Sequence, residues 1–274
     1  WGVPMDPDEG ITKIKALDYA VEGKVRAMWI VGENTLVTDP DMAHTRRAFE
    51  ALDFLIVQDI FLTDTAKMAD VVFPAAAFAE TDGFFATTER RVQRIRKVVP
   101  PPGEAKPDWW IVSQVGCRMT DSVKMGYESA EEVFDELAEV SPFYHGMSYD
   151  RIEGEGLQWP CPDTDHPGTD YLHRDRFENG RGIFKKIEYV APAEVPDEKY
   201  PFFLTTGRRL ATYHTNTQTG RSKRLRYLVP NEWLEIHPRD ARKLKVADGD
   251  WVEVSPRRGE VVTRVKVTRQ SPQG

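Results

Sequence analysis

Residues 54–74 constrain the fold of this chain more than any other stretch. Phe54-Leu55-Ile56-Val57 is an apolar run closed by Gln58-Asp59, and Ala69-Asp70-Val71-Val72-Phe73-Pro74 holds a second run closed by proline. Between them, Ile60 to Thr65 is expected to form a short helix-like turn. Short apolar runs bounded by polar turns read as buried parallel strands. Ligands of open α/β sheets lie beyond the carboxyl ends of such strands, which puts Gln58 and Asp59 at a ligand-binding edge. A plain turn, or a helix N-cap at Asp59 with no ligand, is the competing reading.

The flanking sequence supports a layered α/β arrangement. Residues 1–12 are rich in Pro, Gly and Asp and read as a linker. Ile14, Leu17 and Val21 share one helical face. Val25 to Val31 is a strand candidate ending at Gly32-Glu33-Asn34. A glycine there lets backbone approach a ligand closely, and Asn34 offers both donor and acceptor; a tight strand-to-helix turn explains the same residues. Asp39-Pro40 has the form of an N-cap followed by proline at the first helical position, with Met42, Arg46, Phe49 and Leu52 on one stripe of the helix that follows. Strand and helix thus alternate through residues 25–73, which predicts a parallel sheet covered by helices.

After Pro74 comes a polar loop, Ala79 to Gly83, then a short extended segment around Arg91–Arg96 stopped by Pro100-Pro101-Pro102-Gly103. Helices are expected from Asp108 to Met119 and from Ser129 to Val140. These elements define an α/β domain over 1–140. Residues 141–199 show no period and read as an irregular connection containing a domain boundary. From Tyr200 the texture turns to β. A strand is expected at Phe202–Thr206 and another at Trp233–Ile236, with a short helix after His237 and a hairpin made by Trp251–Ser255 and Val261–Thr268. Short strands at this spacing suggest a barrel over 200–274.

A net charge of −7 gives no electrostatic support to general nucleic-acid binding. Basic residues nevertheless cluster at Arg90, Arg91, Arg94, Arg96 and Lys97, and again at Arg221, Lys223, Arg224 and Arg226, either to meet phosphate or as solvated faces. The two cysteines, Cys117 and Cys161, form no Cys-x-x-Cys pair, so no zinc or iron–sulfur site is readable. A disulfide framework is not expected, which favours a reducing compartment such as the cytoplasm, with the periplasm as the alternative. No apolar run approaches the roughly 20 residues of a membrane span, and no signal peptide is visible. A start at Trp1 suggests a fragment or processed product, and Gln270-Ser271-Pro272-Gln273-Gly274, directly after a strand, suggests a cut inside a domain.

Two polar sets stand out: Gly32, Asn34, Gln58, Asp59, Thr63 and Thr65 at expected strand ends, and the loop from Thr206 to Thr215. Neither is a Gly-x-Gly-x-x-Gly fingerprint or a P-loop, and no Ser-His-Asp order is present. His214 has no visible acid–base partner. Spacing alone stops at a two-domain α/β plus β protein, with nucleotide binding as one open reading.

The motifs Gly32-Glu33-Asn34, Ile56 to Thr63, Ala69 to Pro74, Glu80-Thr81-Asp82-Gly83 and Glu89-Arg90-Arg91-Val92-Gln93 occur in that order in molybdopterin oxidoreductases of the dimethyl-sulfoxide-reductase type, which the sequence resembles. Thr206-Gly207-Arg208 with Tyr213-His214-Thr215 is similar to the start of that family's dinucleotide-binding barrel. Glu235 to Ala241, running on to Gly249-Asp250-Trp251-Val252, resembles its continuation. Gln158-Trp159-Pro160-Cys161-Pro162, with Gln58 to Phe61, looks closest to formate dehydrogenase catalytic subunits.

The resemblance implies a parallel-sheet α/β domain followed by a double-psi β-barrel, C-terminally incomplete. It implies bis(molybdopterin guanine dinucleotide) with molybdenum or tungsten, and oxidation of formate to carbon dioxide. The family's 4Fe-4S cysteines, metal-ligating cysteine or selenocysteine and catalytic histidine would lie upstream, so this chain would carry no catalytic residue or metal ligand and be inactive alone. Its partners would be the N-terminal remainder of the same subunit and iron–sulfur or NAD-reducing electron-transfer subunits, with no nucleic acid and no membrane span. Residue by residue, Asp108 would take guanine, because a carboxylate accepts from N1–H and N2–H₂ together. Asp59 would accept from ribose hydroxyls beside Gln58, with Gly32 and Asn34 lining the pocket and Thr63, Thr65 and Thr81 donating to phosphate or ribose. Many family members have lysine where Thr81 stands, which removes a phosphate charge partner. Thr206, Gly207, Arg208, Tyr213, His214 and Thr215 would wrap a pterin and its pyrophosphate, with Arg208 as the cation. Another family member, such as a nitrate reductase catalytic subunit, and a cofactor-free scaffold resembling the iron–sulfur subunit of respiratory complex I are the alternatives.

Overall fold

The computed structural model describes residues 7–120, 125–177 and 179–274. The linker expected over 1–12 therefore lies partly outside the described residues. In chain order the helices are α1 (Lys13–Val21), α2 (Thr35–Thr38), α3 (Met42–Glu50), α4 (Asp108–Met119), α5 (Ala130–Val140), α6 (Lys223–Leu228) and α7 (Pro238–Leu244). The strands are β1 (Ala27–Val31), β2 (Phe54–Asp59), β3 (Val71–Pro74), β4 (Gly83–Ala86), β5 (Arg91–Ile95), β6 (Leu157–Gln158), β7 (Trp233–Ile236), β8 (Trp251–Val254) and β9 (Val261–Val267). The chain divides into two compact units: Trp1–Glu33 with Ala51–Lys185, and Asn34–Glu50 with Lys186–Gly274.

In the first unit β1, β2 and β3 form a parallel sheet in that order. The central strand is β2, whose Leu55, Val57, Gln58 and Asp59 are buried. A strand covered on both faces reads as a continuous apolar run, which is why the stretch from Phe54 was legible. Asp70 fixes the register, its Oδ2 accepting the Leu55 N–H at 2.7 Å. The turn after Thr65 is a single 3₁₀ turn, Ala66–Met68.

A second sheet, β4-β5-β6, is antiparallel and packs on α5. Its core joins Val92, Ala130, Phe134, Met147, Tyr149, Ile152 and Cys161. Phe134 is fully buried, 4.6 Å from the Phe84 ring and 5.4 Å from Tyr149. Four of these core residues come from the segment expected to be a connection, so its first part is packed structure. Gly156 brings this segment against β5: its φ is +75°, and a Cβ there would collide with the Val92 carbonyl. The first basic cluster is spent inside the same body. Arg90 donates to the carbonyls of Trp159, Thr169 and Asp170, Arg94 lies over the Tyr149 ring at 4.6 Å, and Arg94 and Arg96 both pair with Glu153.

The second unit holds the three-stranded sheet β7-β9-β8, parallel between β7 and β9 and antiparallel between β9 and β8. No strand forms at Phe202–Thr206. An apolar run becomes a strand only when a neighbour completes its ladder, and among the described residues no strand pairs with this one. No closed barrel is present among the described residues; the sheet stays at three strands. Two helix details also differ from expectation. Asp39 ends α2 as its C-cap, and Asp41 caps α3 instead, its Oδ1 accepting the His44 N–H at 2.9 Å. The buried side of α3 is Thr45, Ala48 and Phe49, while Met42 is 51% exposed.

Candidate functional site

The carboxyl edge of the parallel sheet gathers polar groups in the first unit. The Gly32 N–H, just past β1, donates to the Gln58 carbonyl at 2.8 Å, with Gly32 at φ +64°. Past β3, Ala75 bridges Lys106 in parallel, Lys106 N–H bonding the Pro74 carbonyl at 3.1 Å and Ala76 N–H the Lys106 carbonyl at 2.8 Å. This bridge sets the start of α4, and hence Asp108, beside the ends of β2 and β3.

Gln58 and Asp108 meet there: Gln58 Nε2 donates to Asp108 Oδ1 at 2.5 Å. Gln58 is fully buried and its Oε1 has no partner among the described residues, whereas Asp108 is exposed. As the first residue of a 12-residue helix, Asp108 also holds negative charge where the helix dipole favours it. Successive residues of a strand point to opposite faces. Gln58 therefore turns to Asp108, while Asp59 turns onto the following loop, where its Oδ1 accepts the Phe61 N–H at 2.9 Å. Thr63 is 1% exposed and its hydroxyl accepts the Ala66 N–H at 3.1 Å; Thr65 is wholly buried. The Thr81 hydroxyl donates to the carbonyl of Asp82 at 3.0 Å.

The second polar set belongs to the other unit. Thr206, Gly207 and Arg208 are exposed on irregular backbone. The loop from Tyr213 is knotted by its own hydroxyls: Thr219 Oγ1 accepts the Tyr213 N–H at 3.0 Å and donates to Asn216 Oδ1 at 2.5 Å. Thr215 and Thr217 share a hydroxyl hydrogen bond at 3.3 Å, and Asn34 Nδ2 donates to Thr217 Oγ1 at 3.1 Å. His214 and Asn216 both have positive φ, and the Tyr213 and His214 rings meet edge to face at 4.3 Å. Sequence reasoning stopped this set at Thr215. Asn216, Thr217 and Thr219 hold it together, and the run of Thr and Asn between Thr215 and Thr219 was the signal available. The Ala75–Lys106 bridge had no signal in the sequence at all.

Among the described residues no three His, Cys, Asp or Glu side chains cluster as a metal would require, and no helix is long and apolar enough to cross a membrane.

The fold is that of a parallel-sheet α/β protein with acceptor groups at the carboxyl edge, and comparison with known proteins shows what it is similar to. The molybdopterin oxidoreductase model matches residues 6–118, and the molydopterin dinucleotide binding domain matches residues 202–274. Over these two regions the chain is similar to molybdopterin oxidoreductases. It is 45% identical over its whole length to a formate dehydrogenase subunit alpha of Methanocaldococcus jannaschii, covering 41% of that protein. To formate dehydrogenase H of Escherichia coli it is 36% identical, again over its whole length and 39% of the relative. The chain thus spans about two fifths of the curated relatives it matches. Acetylene hydratase from Pelobacter acetylenicus has the same fold, with a TM-score of 0.66 at 19% identity over 94% of this chain and 38% of that one.

Proposed function

We propose that the chain is the cofactor-binding C-terminal part of a formate dehydrogenase catalytic subunit that uses bis(molybdopterin guanine dinucleotide) with molybdenum or tungsten. The observation that carries this reading is the exposed Asp108 carboxylate, braced by buried Gln58 at the sheet edge. The site fits the group. A guanine base needs an acceptor pair for N1–H and N2–H₂, which one carboxylate supplies. The identity to formate dehydrogenase alpha subunits across the whole chain supports formate as the substrate.

In this reading Asp108 takes the base and Asp59 the ribose hydroxyls of a nucleotide lying across the strand end, reaching both sides of it. Gly32 leaves room for that nucleotide, Thr81 lines the phosphate path, and buried Thr63 and Thr65 hold the loop behind it; Asn34 is a further candidate cofactor contact. Thr206, Gly207, Arg208, Tyr213, His214 and Thr215 contact the second dinucleotide, Arg208 meeting its pyrophosphate. The double-psi barrel is assigned to 200–274, after an α/β domain over 1–140 and a segment over 141–199 whose first part joins the core of the first unit.

When bound, the metal cofactor supplies the two-electron oxidation of formate. The residues of this chain grip and orient it and contribute no metal ligand. Electrons leave to iron–sulfur or NAD-reducing partner subunits, as the designation "subunit alpha" of the relatives supports. Two free cysteines accord with a cytoplasmic setting. The test is formate-dependent dye reduction by the purified full-length subunit, together with its acid-released GMP. Activity with two GMP per metal is expected. A subunit that reduces dye without bound GMP, or carries GMP and leaves formate untouched, contradicts the proposal.

A further inference from the structure

We infer that Gln58 is a positioning residue that sets purine selectivity by holding the Asp108 carboxylate in one orientation. The inference rests on the reading of Asp108 as the guanine acceptor. It begins from a conflict between burial and hydrogen bonding. Gln58 is 0% exposed, its Nε2 donates to Asp108 Oδ1, and its Oε1 meets no donor among the described residues. A buried acceptor without a donor is unfavourable, and an apolar side chain of the same shape avoids the penalty. A glutamine here therefore does not serve stability best.

The amide has one orientation only. A carboxylate accepts and does not donate, so the NH₂ must face Asp108 and Oε1 must face away. The backbone of Gln58 is equally fixed, paired with Val31 on one side and Phe73 on the other, its carbonyl bound by Gly32. Asp108 is in the opposite situation. It is exposed at the first position of α4, where a carboxylate samples several rotamers. The bond from Gln58 removes that freedom and presents both oxygens together, as a bidentate partner requires. Holding a side chain in its bound conformation raises affinity by cutting the ordering cost.

Selectivity is the readout that separates positioning from packing. GMP offers N1–H and N2–H₂, whereas IMP lacks the exocyclic amine and offers N1–H alone. Calorimetric titration of GMP and IMP into the cofactor-free full-length subunit is the experiment, with wild type, Gln58→Leu, Gln58→Met and Asp108→Ala. The Gln58 variants are expected to weaken GMP about fivefold to tenfold and IMP by less, narrowing the GMP-to-IMP ratio. Asp108→Ala is expected to abolish the ratio. Wild-type GMP binding and ratio in both Gln58 variants, with loss in Asp108→Ala, would overturn positioning and leave the guanine reading standing. Equal weakening of GMP and IMP would show a packing role and overturn it too. So would failure of both variants to fold. No effect in Asp108→Ala would remove the guanine reading itself.

Discussion

Gln58 and Asp108, 50 residues apart in sequence, are joined by a 2.5 Å hydrogen bond that runs from a fully buried amide to an exposed carboxylate. The pairing costs the fold a buried acceptor, Gln58 Oε1. Replacing Gln58 with leucine removes both the donor and the orphaned acceptor. Stability of the cofactor-free protein is therefore expected to stay within about 1 kcal/mol of wild type, or to rise. Urea denaturation followed by circular dichroism measures it; a loss of several kcal/mol would mean that the amide carries fold energy.

Phe134 is the centre of the second core of the first unit, in ring contact with Phe84 and Tyr149. Phe134→Ala should cost about 3–5 kcal/mol, because this α5 side chain fills the space between its own helix and the rings of Phe84 and Tyr149. The same denaturation experiment reads the loss. A cost under about 1 kcal/mol would mean that this core can collapse around the cavity.

The parallel sheet was legible because its central strand is apolar on both faces and ends in polar residues, as Phe54 to Asp59 do. Helix α5 was legible from the acids that follow Ser129, whose hydroxyl caps it by accepting the Glu132 N–H. Long-range pairing was not legible. Nothing local to Ala75 or Lys106 announces their bridge, yet that bridge delivers Asp108 to the strand ends. The strand expected at Phe202–Thr206 fails for the same reason: strand texture is local, whereas a ladder needs a partner. At the site, residue types were readable and their pairing was not. Gln58 was expected beside Asp59 in a nucleotide pocket, with no link to Asp108, to which its amide is bonded.

Two glycines in one segment separate conformational strain from steric collision. Gly154 and Gly156 both have φ +75°, but a Cβ at Gly154 meets open space while one at Gly156 meets the Val92 backbone. Gly154→Ala should cost about 1–2 kcal/mol, the price of a left-handed alanine. Gly156→Ala should cost more, since β5 must also shift. Equal melting temperatures for the two variants would show that the segment moves freely away from β5.

Glu153 carries a pH signature. Its carboxyl is held below the usual carboxylate value, first by the hydrogen bond from Arg96 and then by the charges of Arg96 and Arg94. The folded state therefore binds this proton less readily than the unfolded chain does. The stability that Glu153 contributes is present above about pH 4.5 and is lost as pH falls through its depressed folded value. Glu153→Gln should lower the melting temperature slightly at neutral pH and converge on wild type in acid. A constant offset across the acid range would rule out the ion pairs as its origin.

Guanosine recognition by Asp108 is tested most directly by titrating GMP and AMP into the cofactor-free full-length subunit, wild type and Asp108→Ala. Wild type should prefer GMP by at least about tenfold, and the alanine variant should lose that preference, as removal of a charge-assisted pair predicts. GMP binding of equal strength in both proteins would contradict the assignment.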